Sequence, residues 1–263
     1  MPIDEHPLES ARRLLDARRD NRPVEPEALA SPDLAYRIQQ AYATERRERG
    51  GGPVAGFRIG ASSKRAQDYL GVEGPFSGRL FTDSTYASPA ELSSEGLTFR
   101  LIEPEFAFTL GADFPVQGEL YTEAEVAEGV ASLHPAIEVV TSAYGAGWKT
   151  AGGLALIADN GVHGVQVMGP AVTDWRGADL AGHRVQLEIN GEEKGEGFGR
   201  NALGGPLTAL TWMINHQVAM GRGMAAGEIV STGVVTPFLE IGPADEASAD
   251  FGALGRVSLR FHP

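Results

Sequence analysis

Cysteine is absent from the 263 residues, lysine occurs three times, and no apolar run approaches the length of a membrane helix. The missing cysteine excludes disulfides, thiolate metal sites and thiol nucleophiles, so a metal would need oxygen or imidazole ligands. A membrane span takes about 18 or more consecutive apolar residues, and without one no membrane partner is expected. Basic charge is also scarce: 22 Lys and Arg stand against 35 Asp and Glu, a formal net charge of −13. Affinity for a phosphate backbone comes from clustered cations releasing counterions, which argues against nucleic acid as a partner. From Met1 to Pro7 there are acidic residues and no apolar leader core, so a cytoplasmic location is expected. What is present is a 42% hydrophobic content, enough for a globular core.

Two helices open the chain. Leu8, Ala11, Leu14 and Leu15 recur at helical spacing within Pro7 to Arg19. Pro32 and Asp33 open a second helix with Leu34, Ile38, Ala41 and Tyr42 as its stripe, ended by the charge run Glu45 to Arg49 and by Gly50-Gly51-Gly52-Pro53. That breaker divides a helical region, 1–52, from the remainder, 53–263. Short apolar runs punctuated by glycine then predict strands at Val54–Ile59, Leu97–Leu110, Ala136–Thr141, Gly164–Met168, Val185–Ile189, Ile229–Val235 and Val257–Phe261, with a hairpin turn at Asn190-Gly191. Glu123–Leu133 and Pro206–Met220 read as helices. The fold class is α+β, a turn-dense mixed sheet with N-terminal helices.

Several motifs carry little. Gly197-Phe198-Gly199-Arg200-Asn201-Ala202 fits the loose dinucleotide fingerprint, but it follows a charged hairpin and not the apolar strand of a βαβ unit. The serines before Lys64 lack a nucleophile elbow. Six histidines form no metalloprotease pattern and read as surface or structural residues, and Trp148, Trp175 and Trp212 read as packing.

The chemistry-bearing stretch is Leu101-Ile102-Glu103-Pro104-Glu105-Phe106-Ala107-Phe108. Alternation along a strand points Glu103 and Glu105 the same way, with Ile102, Phe106 and Phe108 opposite. Pro104 removes a ladder donor and places this point at a sheet edge or a bulge. Glu138 lies in the apolar run Pro135-Ala136-Ile137-Glu138-Val139-Val140, where an unpaired charge is costly to bury. Two readings stand for the three carboxylates: a solvated acidic face, or oxygen ligands for Mg²⁺ or Mn²⁺.

Glu103-Pro104-Glu105 followed by Pro135-Ala136-Ile137-Glu138 resembles the metal site of the 2-keto-4-pentenoate hydratase and 4-oxalocrotonate decarboxylase family, within the fumarylacetoacetate hydrolase superfamily. Ala35-Tyr36-Arg37-Ile38-Gln39, Gly56 to Lys64, Ala158-Asp159-Asn160-Gly161, Leu203-Gly204-Gly205-Pro206-Leu207, Ala226 to Val230 and Thr232-Gly233 follow in the family's order. The resemblance covers the chain from about Pro32. It implies a mixed β-roll in which Glu103, Glu105 and Glu138 hold Mg²⁺ or Mn²⁺, and a short unsaturated 2-oxo acid of the kind met in aromatic catabolism as substrate. A Lewis acid on the keto oxygen stabilises the enolate shared by water addition and decarboxylation. The resemblance also implies substrate contacts from Ile59, Gly60, Ala61, Phe76, Asp159 and Val234, and self-association into a homo-oligomer.

Three positions depart from the family. Arg58 stands where lysine is usual, Pro75-Phe76-Ser77-Gly78 lacks the aspartate of the hydratases, and Thr232-Gly233-Val234 lacks a serine hydroxyl. Arginine stays charged and anchors carboxylates bidentately, where lysine can also exchange a proton. The expectation is that Arg58 grips a substrate carboxylate while metal-bound water, Lys64 or Lys149 moves protons. Hydration leads, with decarboxylation next because the aspartate is missing. A noncatalytic partner subunit and a biosynthetic enzyme on the same scaffold are further alternatives.

Overall fold

A computed structural model describes residues 5–262. The acidic start read from Met1 lies partly outside the described residues. The chain opens with α1 (Glu5–Arg19) and α2 (Pro32–Glu48). α2 begins where Ser31 accepts a hydrogen bond from the Leu34 amide at 3.2 Å, and Pro32 follows at a position whose N–H would be unpaired in any case. Of the stripes read from spacing, Ala11 and Leu14 in α1 and Ile38 and Tyr42 in α2 are buried, Leu8, Leu15, Leu34 and Ala41 are half-buried, and Ala35 joins the buried face of α2.

There follow β1 (Val54–Gly60), α3 (Lys64–Leu70), β2 (Phe76–Phe81), β3 (Thr85–Ala87), β4 (Ala90–Leu92), β5 (Leu101–Leu110), α4 (Glu123–Glu128) and β6 (Val130–Val140). The rest is α5 (Gly153–Ala158), β7 (His163–Met168), β8 (Arg184–Ile189), β9 (Glu192–Phe198), α6 (Pro206–Ala219), β10 (Ile229–Val234), β11 (Leu239–Glu240), β12 (Glu246–Asp250) and β13 (Arg256–Phe261). The larger sheet runs β2-β1-β10-β5-β6-β7-β3, with β11 also on β5, and the smaller runs β4-β13-β12-β8-β9. It is a mixed arrangement: β1 pairs β10 in parallel, whereas β5 pairs both β10 and β6 antiparallel.

One apolar core is shared by the two sheets, with Phe106 of β5 edge-on to Phe251 at 5.1 Å and Phe261 of β13 fully buried beside them. Each such phenyl ring stabilises the fold by about 1.5–3 kcal/mol. The N-terminal helices have no core of their own. Ile38 and Tyr42 pack in one cluster with Phe76, Phe81, Leu101, Val140 and Leu156, so the helices close the opposite side of the larger sheet.

Several expected elements differ: the strand read from Leu97 begins at Leu101, and the one read from Ala136 begins at Val130. The helix read over 123–133 ends at Glu128: a capping box between Thr122 and Glu125 starts it, and Gly129 stops it where the Phe114 ring leaves no room for a side chain. Val130 and Leu133, which continued the helical spacing, belong to β6 instead. Pro104 lies inside the sheet rather than at an edge. Its missing donor coincides with a register shift in β10 between Ser231 and Val234, the bulge that was the other reading.

Candidate metal centre

The strand order lays a row of polar side chains across the larger sheet. Arg58 on β1 is in register with Ser231 on β10, Glu103 on β5 with Glu138 on β6, and Glu138 with Gln166 on β7. Glu105 is two residues along β5 from Glu103, on the same face. Glu103, Glu105 and Glu138 each offer an oxygen within 4.8 Å of the others. Glu105 and Glu138 are fully buried, while the Glu103 side chain keeps 13% exposure. They therefore form a pocket of carboxylates and not the solvated face that was the competing reading.

The Arg58 guanidinium enters this pocket. Nε donates to Glu138 Oε2 at 2.7 Å, Nη1 to the Gly161 carbonyl at 3.0 Å, and Nη2 reaches Glu138 Oε2, Glu103 Oε2 at 3.3 Å and Glu105 Oε1 at 3.8 Å. Burial and then the neighbouring carboxylates lift the carboxyl groups of Glu103 and Glu105 to about 8, against the pull of Arg58. Burial raises Glu138 as well, opposed by Arg58. Burial works to lower the guanidinium, yet the three acids outweigh it and hold Arg58 above its ordinary value. One guanidinium faces three acids.

Two of the three carboxylates are also held from behind. The β10 bulge aims the Gly233 amide at Glu105 Oε2 at 3.1 Å, and Ser231 Oγ donates to the same oxygen. Glu105 Oε1 is buried without a hydrogen-bond partner. On the far side, His163 Nδ1 lies 2.8 Å from Glu138 Oε1, and the ring is fully buried. Burial, then Arg58, keeps this imidazole neutral, so Nδ1–H donates to the carboxylate and Nε2 is left unpartnered. Gln166 donates to Ser231 Oγ at 3.2 Å. His163 and Gln166 were not singled out from the sequence; they reach the cluster only through the β6–β7 register.

The donor set suits a hard divalent cation. It offers oxygen ligands only, one from each carboxylate, and a buried oxygen of Glu105 makes no hydrogen bond.

The other expected site residues are scattered. Phe76 is buried with its ring against Gly60, where a Cβ would fall 2.2 Å from the ring. The same ring lies near Gly161, whose carbonyl holds Arg58. Val234 pairs with Glu105 across the bulge, and Ala61 follows β1 in a left-handed conformation at φ 54°. Ile59 is buried in the core between the sheets. Asp159 is saturated: Oδ1 accepts from Arg18 Nε and Nη2 at 3.0 and 2.8 Å, and Oδ2 from Ser142 Oγ and the Ala143 amide at 2.6 and 2.9 Å. Lys64 points to solvent and pairs with Asp68 at 2.5 Å, and Lys149 is exposed in the turn over Gly145–Thr150. Neither lysine is among the ion-pair partners of the three glutamates, which among the described residues are Arg58 and His163. The Arg58 fork, expected on a substrate carboxylate, is here committed to the chain's own acids.

Residues 94–261 match the family model described as fumarylacetoacetate (FAA) hydrolase C-terminal. The chain is 32% identical over 257 residues to a 2-keto-4-pentenoate hydratase of Paraburkholderia xenovorans (strain LB400), covering 96% of this chain and 94% of that protein. A 2-hydroxyhexa-2,4-dienoate hydratase of Comamonas testosteroni is 32% identical over 255 residues, covering 95% of each. Among solved structures, 4-oxalocrotonate decarboxylase from Pseudomonas putida G7, complexed with magnesium and adipate, superposes with a TM-score of 0.89 over 99% of both chains at 23% identity. The same enzyme complexed with calcium and acetate gives the same score. No helix among the described residues is long and apolar enough to cross a membrane.

Proposed function

The chain belongs to the fumarylacetoacetate hydrolase family, and from that premise we propose that it is a divalent-metal-dependent lyase adding water to a short unsaturated 2-oxo acid or its dienol. The observation that carries this reading is the buried Glu103, Glu105 and Glu138 set with its unpartnered Glu105 oxygen. Mg²⁺ or Mn²⁺ is the proposed ion. When bound, it would supply Lewis-acid stabilisation of the negative charge that develops on the substrate's keto oxygen.

The chain's own residues do the rest. Ser231 and the Gly233 amide lock Glu105, while His163 locks Glu138, so the ligands are oriented before anything binds. Phe76 and Val234 supply apolar wall, which keeps water from competing at the reacting carbons. Proton exchange is left to solvent on the side of Glu103, the one carboxylate of the three with exposure. Lys64 and Lys149 are too exposed in this structure to be preferred for that role. A homo-oligomer, alone or with a partner enzyme of the same pathway, and a cytoplasmic location complete the proposal.

Phe76 favours a second reading. It occupies the motif position at which the resemblance leads one to expect a proton-transferring aspartate, and a buried phenyl ring cannot serve that function. Loss of CO₂ from a 2-oxo-enedioate is therefore the alternative reaction. The test is mass analysis of products from metal-stripped protein, with and without Mn²⁺, on a 2-hydroxydienoate and a 2-oxo-enedioate. Metal-dependent gain of one water is the expected result, and metal-dependent loss of CO₂ selects the alternative. Unchanged substrates with Mn²⁺ bound would overturn both.

A further inference from the structure

We infer that Arg58 is a resident counter-cation of the Glu103, Glu105 and Glu138 cluster, and that a divalent cation loads the site only by displacing its guanidinium. The inference rests on the metal-dependent reading above and adds what binding of a cation requires of Arg58. Nη2 of Arg58 meets one oxygen from each of the three carboxylates, at 3.3 Å for Glu103, 3.8 Å for Glu105 and closer still for Glu138. A divalent ion of this class binds such oxygens at about 2.1 Å. Nε and Nη2 both donate to Glu138 Oε2, and Nη2 lies against the facing oxygens of Glu103 and Glu105, so a cation that takes those oxygens competes with the guanidinium for the same space.

The guanidinium is well suited to hold the site in the absence of metal. Arg58 is buried to 3% exposure, anchored by Nε on Glu138 and by Nη1 on the Gly161 carbonyl, and so it offsets part of the repulsion among three buried acids. It does so incompletely. Glu105 Oε1 sits 3.8 Å from Nη2 and makes no hydrogen bond, so a doubly charged ion gains at that oxygen what arginine does not provide. Lysine, with a single compact ammonium and no planar fork, would fill the same space less fully. Metal loading would also free the Arg58 fork, which is otherwise spent on the chain's own carboxylates.

The experiment uses the full chain with Mn²⁺ or Mg²⁺ alone and no substrate. Calorimetric titration of Arg58→Met with Mn²⁺ is expected to give binding about tenfold or more tighter than wild type, because no side chain then competes for the carboxylates. Arg58→Lys should fall between them, and the metal-free Arg58→Met protein should melt lower than wild type and gain more on adding Mn²⁺. Equal or weaker Mn²⁺ binding by Arg58→Met overturns the inference. Should that variant not fold, ¹⁵N side-chain NMR of the wild type decides, with Arg58→Lys identifying the guanidinium signal. A protected guanidinium resonance in the metal-free protein that shifts on adding Mg²⁺ supports displacement, and one unmoved at saturation overturns it. If wild type and variant bind Mn²⁺ equally, the exchange fails while the metal-dependent reading stands. If displacement is observed and no 2-oxo acid or dienol turns over, the reading fails while the exchange stands.

Discussion

Two buried acid–arginine clusters lie close together in this chain, and they are built to opposite specifications. Asp159 meets Arg18 one to one, and both of its oxygens are filled, Oδ1 by the guanidinium and Oδ2 by Ser142 and the Ala143 amide. Arg58 faces three carboxylates, and Glu105 Oε1 is left with no hydrogen bond. The first pair ties α1 to the loop after α5, and nothing about it asks for a ligand. The second is short of positive charge and of hydrogen-bond donors, which is how a cation site differs from a structural ion pair.

Charge removal separates the two. The largest expected effect is on metal binding: Glu105→Gln should abolish Mn²⁺ binding in a calorimetric titration, whereas Asp159→Asn should leave it measurable. Breaking the structural pair acts on the fold. Asp159→Ala leaves Arg18 buried without its acid and should cost about 3–5 kcal/mol in urea denaturation. His163→Phe removes the group that orients Glu138 and should weaken Mn²⁺ binding by about 10–100-fold.

The smallest effect carries the sharpest sign. In the metal-free protein Glu105→Gln should be more stable than wild type at pH 8, by about 1 kcal/mol, because it relieves like-charge repulsion. The pH dependence follows from carboxyls raised to about 8 in the fold. Between about pH 4.5 and 8 the unfolded carboxyls have lost their protons while the folded ones retain them, so the folded state binds more protons and stability falls as pH rises. Denaturation curves across that window should show a shallower fall for Glu105→Gln, and saturating Mn²⁺ should flatten the wild-type curve.

Three candidate carboxylates were legible from local pattern, which left a solvated acidic face open beside a cation site. Glu103 and Glu105 share a face because strand side chains alternate, and Glu138 stands out as a charge in an apolar run. The partners were not. Arg58 reaches the acids only because β10 lies between β1 and β5, and His163 meets Glu138 only through the β6–β7 pairing, both long-range facts that no spacing encodes. Asp159 was read as a substrate contact from its motif, yet its partner, Arg18, lies 141 residues away. The helix extended through Val130 and Leu133 shows the same limit, since their helical spacing continues past Gly129 while the chain there turns into β6 and pairs with β5.

The most direct test is a crystal of the protein soaked in Mn²⁺ and measured at a wavelength where manganese scatters anomalously. The expected result is one strong peak bonded to Glu103, Glu105 and Glu138, with the Arg58 guanidinium moved off the three carboxylates. An anomalous map with no peak at the triad, and Arg58 still bound to all three acids, would contradict the account.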